Sequence, residues 1–274
     1  MLKTSVIIPF HNRDRFFAEC LDSVLAQTLL PSEIIVVDDG SLPAQRRFLN
    51  SFLPKIKIVS LDPSQGPAVA RNTGCDAAGG DVIAFLDDDD VWMPSKLESQ
   101  VSYLQSHPDC AAVHTGVRAF YSDGTERVYD KKPSPLAIMD AIEAPPGHVC
   151  LSSLAIRATA LRAVGGFDPA FRCSEDWELC IRLVSEGYRI DFIPTPLIRF
   201  RRTDHERATR RPLVILRYDI ALVRKHRDLY ERVMGRGGAR RQIAARMCEA
   251  GSRRGGVLGR AVRICGVALG GAAE

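Results

Sequence analysis

The sequence has no long apolar run: no stretch of about 18 uncharged apolar residues occurs, so no helix is expected to span a membrane. It has no paired cysteines either. Cys20, Cys75, Cys110, Cys150, Cys173, Cys180, Cys248 and Cys265 are scattered and never form C-x-x-C, which speaks against a zinc site or a disulfide framework and for reduced core thiols. There is no internal repeat and no low-complexity tract. The first strand-like segment begins by Thr4, which leaves no room for a signal peptide and points to a cytoplasmic protein. An apolar fraction of 46% and a charged fraction of 26% exclude disorder and collagen-like chains.

What is present is 274 residues, enough for about two domains or one large α/β domain with an appendage. The net charge of +4 conceals a division. Residues 199–274 hold 19 Lys and Arg against 7 Asp and Glu, whereas residues 1–198 hold 18 against 26. An acidic half suits cations and a basic half suits anions.

The first 115 residues alternate apolar runs with amphipathic stretches. Strands are expected at Ser5–Pro9, Ile34–Val37, Ile56–Leu61 and Asp81–Leu86. Helices are expected at Arg13–Leu29 with Asn12 as cap, after Pro43, at Pro67–Ala78, and from Pro94 to Ser106. Such alternation argues a mostly parallel sheet covered on both faces, whose ligands sit beyond the carboxyl ends of the strands. Further strands are expected at Cys110–Val117, Ser153–Arg157, Ile190–Ile193 and Leu197–Phe200, with a hairpin turning at Asp123-Gly124. Lys131–Gly147 reads mainly as loop with room for one short helix. Helices are expected at Ala158–Val164 and Ser174–Glu186, and beyond Pro212 to the end, with breaks at Gly235–Gly238 and Gly255-Gly256.

Four adjacent carboxylates, Asp87–Asp90, follow the fourth strand. Two ionised carboxylates about 4 Å apart repel by roughly 4 kcal/mol at an effective dielectric near 20. A divalent cation relieves this, and hard oxygen ligands suit Mg²⁺ or Mn²⁺. In extended backbone Asp87 and Asp89 point the same way and converge on one ion, while Asp88 points elsewhere. The alternative, acids at the N-terminus of the helix after Pro94, accounts for Asp90 better than for four in a row. Asp38-Asp39-Gly40-Ser41 reads either as an ordinary turn or as a site for a base or ribose.

SVIIPFHN (5–12), LAQT (25–28), EIIVVDDGS (33–41), GPAVARN (66–72), FLDDDDVWMPSKL (85–97) and VGGFDPAFRCSEDWELCIRL (164–183) together resemble family 2 glycosyltransferases over about residues 3–205. The resemblance implies a GT-A fold, Rossmann-like, with a mostly parallel central sheet, helices on both faces and a C-terminal helical extension. It implies that residues 1–115 form the nucleotide-sugar half, 116–205 the acceptor and catalytic half, and 206–274 the basic helical extension. It places Pro9, Asp38, Asp39 and Arg71 at the nucleotide, and Asp88 near the ribose or sugar. Asp87 and Asp89 become ligands of a divalent metal (Mn²⁺ or Mg²⁺), joined by His205. Asp176 becomes the general base of an inverting transfer, with Glu175 as its fallback. The Q-x-x-R-W segment of processive synthases is missing, which points to transfer of one sugar. The implied partners are a nucleotide-sugar donor, a UDP-sugar by commonest usage, and a saccharide or lipid-linked saccharide acceptor. Cell-surface polysaccharide, lipopolysaccharide or glycolipid synthesis is the implied setting.

Several residues carry two readings. Glu175, Asp176 and Glu178 also complement a helix dipole. Trp177 reads as core, and Trp92 as either core or cleft. His11, His114 and His148 read as structural or cleft-lining. Arg199, Arg201 and Arg202 read as a solvated basic face or as diphosphate contacts. Val257–Leu269 reads as an amphipathic helix for a membrane surface, which would make the protein peripheral on the inner face, or as a helix packed on the catalytic domain. Nothing points to nucleic acid. Two other functions stay open: a nucleotidyltransferase, against which the glycine-free Phe10–Arg13 argues, and a non-catalytic membrane-surface binding protein.

Overall fold

The computed structural model describes residues 2–143, 149–202, 212–254 and 256–269. The chain opens with β1 (Thr4–Phe10), α1 (Asp14–Leu25), β2 (Glu33–Asp39), α2 (Pro43–Asn50), β3 (Lys57–Leu61), α3 (Pro67–Asp76) and β4 (Val82–Phe85). It continues with β5 (Val91–Trp92), α4 (Lys96–Ser106), β6 (Cys110–Tyr121), β7 (Glu126–Tyr129), α5 (Ile138–Glu143), β8 (Ala155–Arg157) and α6 (Ala158–Ala163). Then come α7 (Glu175–Ser185), β9 (Arg189–Arg202), α8 (Pro212–Lys225), α9 (Arg227–Met234), α10 (Gly238–Arg254) and α11 (Gly256–Ala268).

Among the described residues the strands form one sheet of nine, in the order β3-β2-β1-β4-β8-β6-β9-β5, with β7 paired to β6. β3, β2, β1 and β4 are parallel neighbours, and β6 lies parallel to β9. β8 runs against both β4 and β6, so the two parallel sets share one direction across it.

β1 shows why the parallel strands read as unbroken apolar runs. Val6, Ile8 and Phe10 face α1 and α4, where Phe17, Leu21, Leu97 and Leu104 wait. Ile7 joins Ile35 and Val37 on the other face, against α3 and α7. Both faces are buried, so alternation disappears. Gly74 lets α3 lie close. A Cβ there would fall 2.5 Å from Ile7 Cγ2 and 3.1 Å from Val37 Cγ2.

Three local expectations change. Asn12 does not cap α1; it takes a positive φ of 58°. Its side chain accepts from the Leu42 N–H at 2.8 Å, which ties the β1 and β2 exits together. The two short strands expected at 190–200 are one strand, β9, with irregular register opposite Gly116 where Pro194 and Pro196 pass. β5 is a two-residue strand that pairs with β9 and was not expected. The C-terminal segment is helical, as expected, with the expected break before Gly238, and a further break at His226, between α8 and α9, that was not expected. α10 and α11 pack closely: a Cβ on Gly251 would meet the Gly259 carbonyl oxygen at 2.6 Å, and the reverse. All eight cysteines are free, and Cys265 is exposed rather than in the core. Among the described residues no helix is long and apolar enough to cross a membrane.

Candidate active site

Because β1, β2 and β4 are parallel neighbours, their carboxyl ends leave the sheet on one edge. That edge gathers His11–Arg13, Asp38-Asp39 and Asp87–Asp90. The four acids are not extended. The Asp90 N–H donates to the Asp87 carbonyl at 3.1 Å and closes a turn, so strand alternation does not arrange them. Each acid has its own surroundings. Asp87 Oδ1 accepts from Arg71 Nη2 at 2.8 Å. Asp88 and Asp89 share one nitrogen, Arg13 Nη1, at 3.4 Å each. Asp90 is fully buried. It accepts from the Ser152 hydroxyl at 2.7 Å and from the Arg201 backbone N–H at 3.0 Å. It therefore fastens β9 to this turn and does not serve a helix N-terminus.

Arg201 corrects the reading of a solvated basic face. It is buried, donates from Nε to the Asp89 carbonyl at 2.9 Å, and pairs with Glu19. Its guanidinium carbon lies 4.2 Å and 4.7 Å from the centres of the Phe16 and Phe120 rings. Arg199 lies over Phe120 and the exposed Arg202 over Phe200.

Asp38 and Asp39 end β2 rather than forming a free turn. Asp38 is buried, accepts from the Ser41 N–H at 3.0 Å and pairs with Arg46 at 3.1 Å. Asp39 spends both oxygens on the segment before α3. Gln65 N–H reaches Oδ1 at 2.6 Å, and Gly66 N–H and the Ser64 hydroxyl reach Oδ2 at 2.9 and 2.8 Å. Its carboxylate thus shapes the loop over the sheet edge instead of projecting outward. The Asp39 carbonyl lies 2.6 Å from His11 Nδ1. Pro9 is half-buried one residue before the end of β1, beside Val37.

Arg71, on α3, joins the two acidic regions. Its guanidinium is buried and donates to Asp87 at 2.8 Å and to Glu175 Oε1 at 2.6 Å. Burial alone would lower its pKa, but the carboxylates of Asp87 and Glu175 outweigh it and hold the group above its ordinary value. Glu175 and Asp176 open α7. Asp176 Oδ1 accepts from the Trp177 N–H at 2.8 Å. Burial pushes its pKa up to about 7, and the Glu175 charge adds to this. The Trp177 N–H and Arg71 pull the other way. The residue as a whole is half-buried.

Trp177 is core and donates from Nε1 to the Ala141 carbonyl at 2.6 Å. Trp92 is core as well. It donates to the Ser152 carbonyl at 2.8 Å, and Lys96 Nζ lies 3.8 Å from the centre of its ring. Lys96 is fully buried, and burial lowers its pKa well below the ordinary value. His114 is buried against Phe192. His148 and His205 lie outside the described residues. Among the described residues no three His, Cys, Asp or Glu side chains come together as a metal cage. Arg13 and Ser152 are the site residues that the sequence reading missed. Arg13 carried a signal, a cation just past β1, whereas Ser152 carried none.

The Glycosyl transferase family 2 model matches residues 5–165. The amylovoran biosynthesis glycosyltransferase AmsE of Erwinia amylovora is 30% identical over 208 residues, covering 72% of this chain and 75% of that protein. A UDP-Glc:alpha-D-GlcNAc-diphosphoundecaprenol beta-1,3-glucosyltransferase of Escherichia coli, WfgD, is 39% identical over 101 residues, or 36% of this chain and 40% of its own. Among solved structures, S. aureus TarS 1-349 in complex with UDP-GlcNAc superposes with a TM-score of 0.65 at 16% identity. That match covers 97% of this chain and 89% of TarS 1-349, and the chain spans 54% of the longer TarS structure. The chain belongs to glycosyl transferase family 2, has the GT-A fold, and is a glycosyltransferase. The nucleotidyltransferase and non-catalytic readings fall with that result.

Carboxyl-carbon NMR of the protein labelled at aspartate should place one residue, lost in Asp176→Asn, near pH 7 rather than near 3.8. Arg71→Met removes a positive charge that lowers the Asp176 pKa, so the same signal should move to higher pH. An ordinary carboxylate titration at Asp176 would contradict this electrostatic picture.

Proposed function

We propose that the protein moves one sugar, with inversion, from a UDP-sugar to an acceptor hydroxyl. The observation that carries this reading is the place of the Asp176 carboxyl in the first turn of α7, where burial pushes its pKa up to about 7. Arg71 and Glu175 link it to the acidic turn at the sheet edge. A base is most effective when its pKa lies near the working pH.

Asp87 and Asp89 are the residues that would hold Mn²⁺ or Mg²⁺, with His205 as a further candidate. The fit rests on two points. The oxygens are hard donors, and Arg13 already brings positive charge to Asp88 and Asp89 at 3.4 Å although its side chain is 42% exposed. Two carboxylates with substrate phosphates suffice for Mg²⁺, so a three-residue protein cage is not required. When bound, the ion supplies Lewis-acid neutralisation of the departing diphosphate. Pro9, Asp38, Asp39 and Arg71 line the base and ribose pocket, Asp39 through the loop at 64–66 that it anchors. Asp88 faces the ribose or sugar. On the opposite side of the sugar Asp176 takes the acceptor proton as the new bond to the anomeric carbon forms and the bond to the diphosphate breaks. Glu175, already paired with Arg71, is the fallback base.

Residues 1–115 form the donor half and 116–205 the acceptor half in this reading. The names of AmsE and WfgD support a saccharide or lipid-linked saccharide acceptor in surface polysaccharide synthesis, and the WfgD name and the TarS complex support a UDP-sugar donor. A lipid-linked acceptor suits a protein resting on the inner membrane face. α11 exposes Ile264 (65%) and Val267 (41%) beside the exposed Arg260 and Arg263.

A panel of UDP-sugars with Mn²⁺ and oligosaccharide acceptors, read by UDP release and product mass, tests the assignment. Asp89→Ala should abolish UDP release from a chain that melts normally. Asp176→Asn should bind donor as before and lose transfer by about 10²–10⁴-fold, the usual share of a general base. Wild-type transfer should rise with pH through about 7, as Asp176 loses its proton. Normal transfer by Asp176→Asn would remove the base from this position. Flotation with vesicles containing anionic lipid should carry the protein upward, less so after Ile264→Asp. Equal flotation of both proteins, or of neither, would remove the membrane contact.

A further inference from the structure

The C-terminal helices are fastened to the start of α7. Ser174, the residue before that helix, has φ 62°, in the left-handed region. A residue with a side chain stays there only where its surroundings enforce it. A serine in this place ordinarily turns its oxygen onto the helix's own N–H groups. Here no such capping bond forms. The hydroxyl instead donates to Asp219 Oδ1 at 2.8 Å, across to α8. Asp219 is buried, and burial pushes its pKa up to about 6, while the Ser174 hydroxyl and the positive charge of Arg246, on α10, pull the other way. The Arg246 guanidinium carbon in turn lies 5.7 Å from the centre of the Trp177 ring.

A second fastening lies one turn further on. Glu178 is fully buried and meets Lys225 Nζ at 2.6 Å, His226 Nε2 at 3.1 Å, and Arg182 at 2.7 Å. The C-terminal helices therefore hold α7 at residues 174 and 178, on either side of Asp176. The family match ends at residue 165, before α7 and the helices that hold it.

We propose that Asp219 is a positioning residue for sugar transfer: its bond to Ser174 keeps the left-handed turn from which α7 starts, and so sets the direction in which Asp176 presents its carboxylate. The role rests on Asp176 being the base. Asp219 touches neither donor nor acceptor. It acts at a distance of two residues, where a small tilt of the first turn moves the proton acceptor out of line with the incoming hydroxyl.

The experiment compares kcat and KM for UDP-sugar in Ser174→Ala, Asp219→Ala, Asp219→Asn and the double variant Ser174→Ala/Asp219→Ala, with UDP binding followed by calorimetry. Misplacement of a reacting group by about 1 Å costs on the order of 10²-fold in rate. Ser174→Ala and Asp219→Ala should each lower kcat by about that factor while KM and UDP affinity stay at the wild-type values. The double variant should lose no more than either single change. Asp219→Asn, which keeps an oxygen for the Ser174 hydroxyl, should restore most of kcat. Should Asp219→Ala unfold, Ser174→Ala, which deletes a single oxygen, still decides. Wild-type kcat in Ser174→Ala, additive losses in the double variant, or an Asn variant as slow as the Ala variant would overturn the proposal. If Asp176→Asn itself transfers normally, the base assignment has failed and the positioning role falls with it. If Asp176→Asn is inactive and Ser174→Ala is not, the positioning role alone fails.

Discussion

Four consecutive carboxylates at the end of a buried strand are an electrostatic problem, and much of this structure is arranged around it. Each acid is answered from a different part of the chain. Arg71 on α3 meets Asp87, Arg13 before α1 spans Asp88 and Asp89, and Ser152 with the β9 backbone holds Asp90. Removing one partner of a buried charge pair such as Arg71–Glu175 costs about 3–5 kcal/mol, whereas the half-exposed Arg13 pairs are worth about 1 kcal/mol or less. Helices, strands and the loop before β8 are therefore fixed relative to one another by the need to keep these acids compensated. The same contacts join the turn to Glu175 and Asp176, more than eighty residues later in the chain.

The uneven charge of the two chain halves takes on a clearer meaning in this light. Not all the C-terminal arginines face water. Arg201 is buried between Phe16 and Phe120 and reaches the acidic turn. Arg246 is buried beside Trp177. The outward ones, such as Arg253, Arg254, Arg260 and Arg263, are concentrated on the last two helices. The basic half thus does two jobs: a few cations brace the site, and the remainder give the far end of the molecule its positive surface.

The strands β1, β2 and β4 are legible in the sequence because strands buried on both faces must be apolar throughout, and so is the acidic cluster at their ends. β9 is less so. Pro194 and Pro196 interrupt its pattern, and only pairing with β6 across an irregular register makes it one strand. The turn at Asp87–Asp90 cannot be read either, because the groups that hold the Asp90 carboxylate, Ser152 and the Arg201 backbone, are distant in sequence. Arg201 reads as a surface cation until two phenylalanine rings from separate elements are brought around it. Asn12 has the chemistry of a helix cap, yet the neighbouring strand exit competes for its side chain and wins. Identity and order along the chain carried the raw materials of the site; which carboxylate meets which cation was decided by packing.

The central claim is that the acidic turn is kept for a divalent ion and a diphosphate together. Isothermal calorimetry of UDP binding, run with Mn²⁺, with Mg²⁺ and with chelator, addresses it directly. The account predicts tight UDP binding with either ion, a marked loss with chelator, and the same loss in Asp89→Ala whatever the metal. UDP binding of equal strength with and without metal, or a wild-type response from Asp89→Ala, would contradict it.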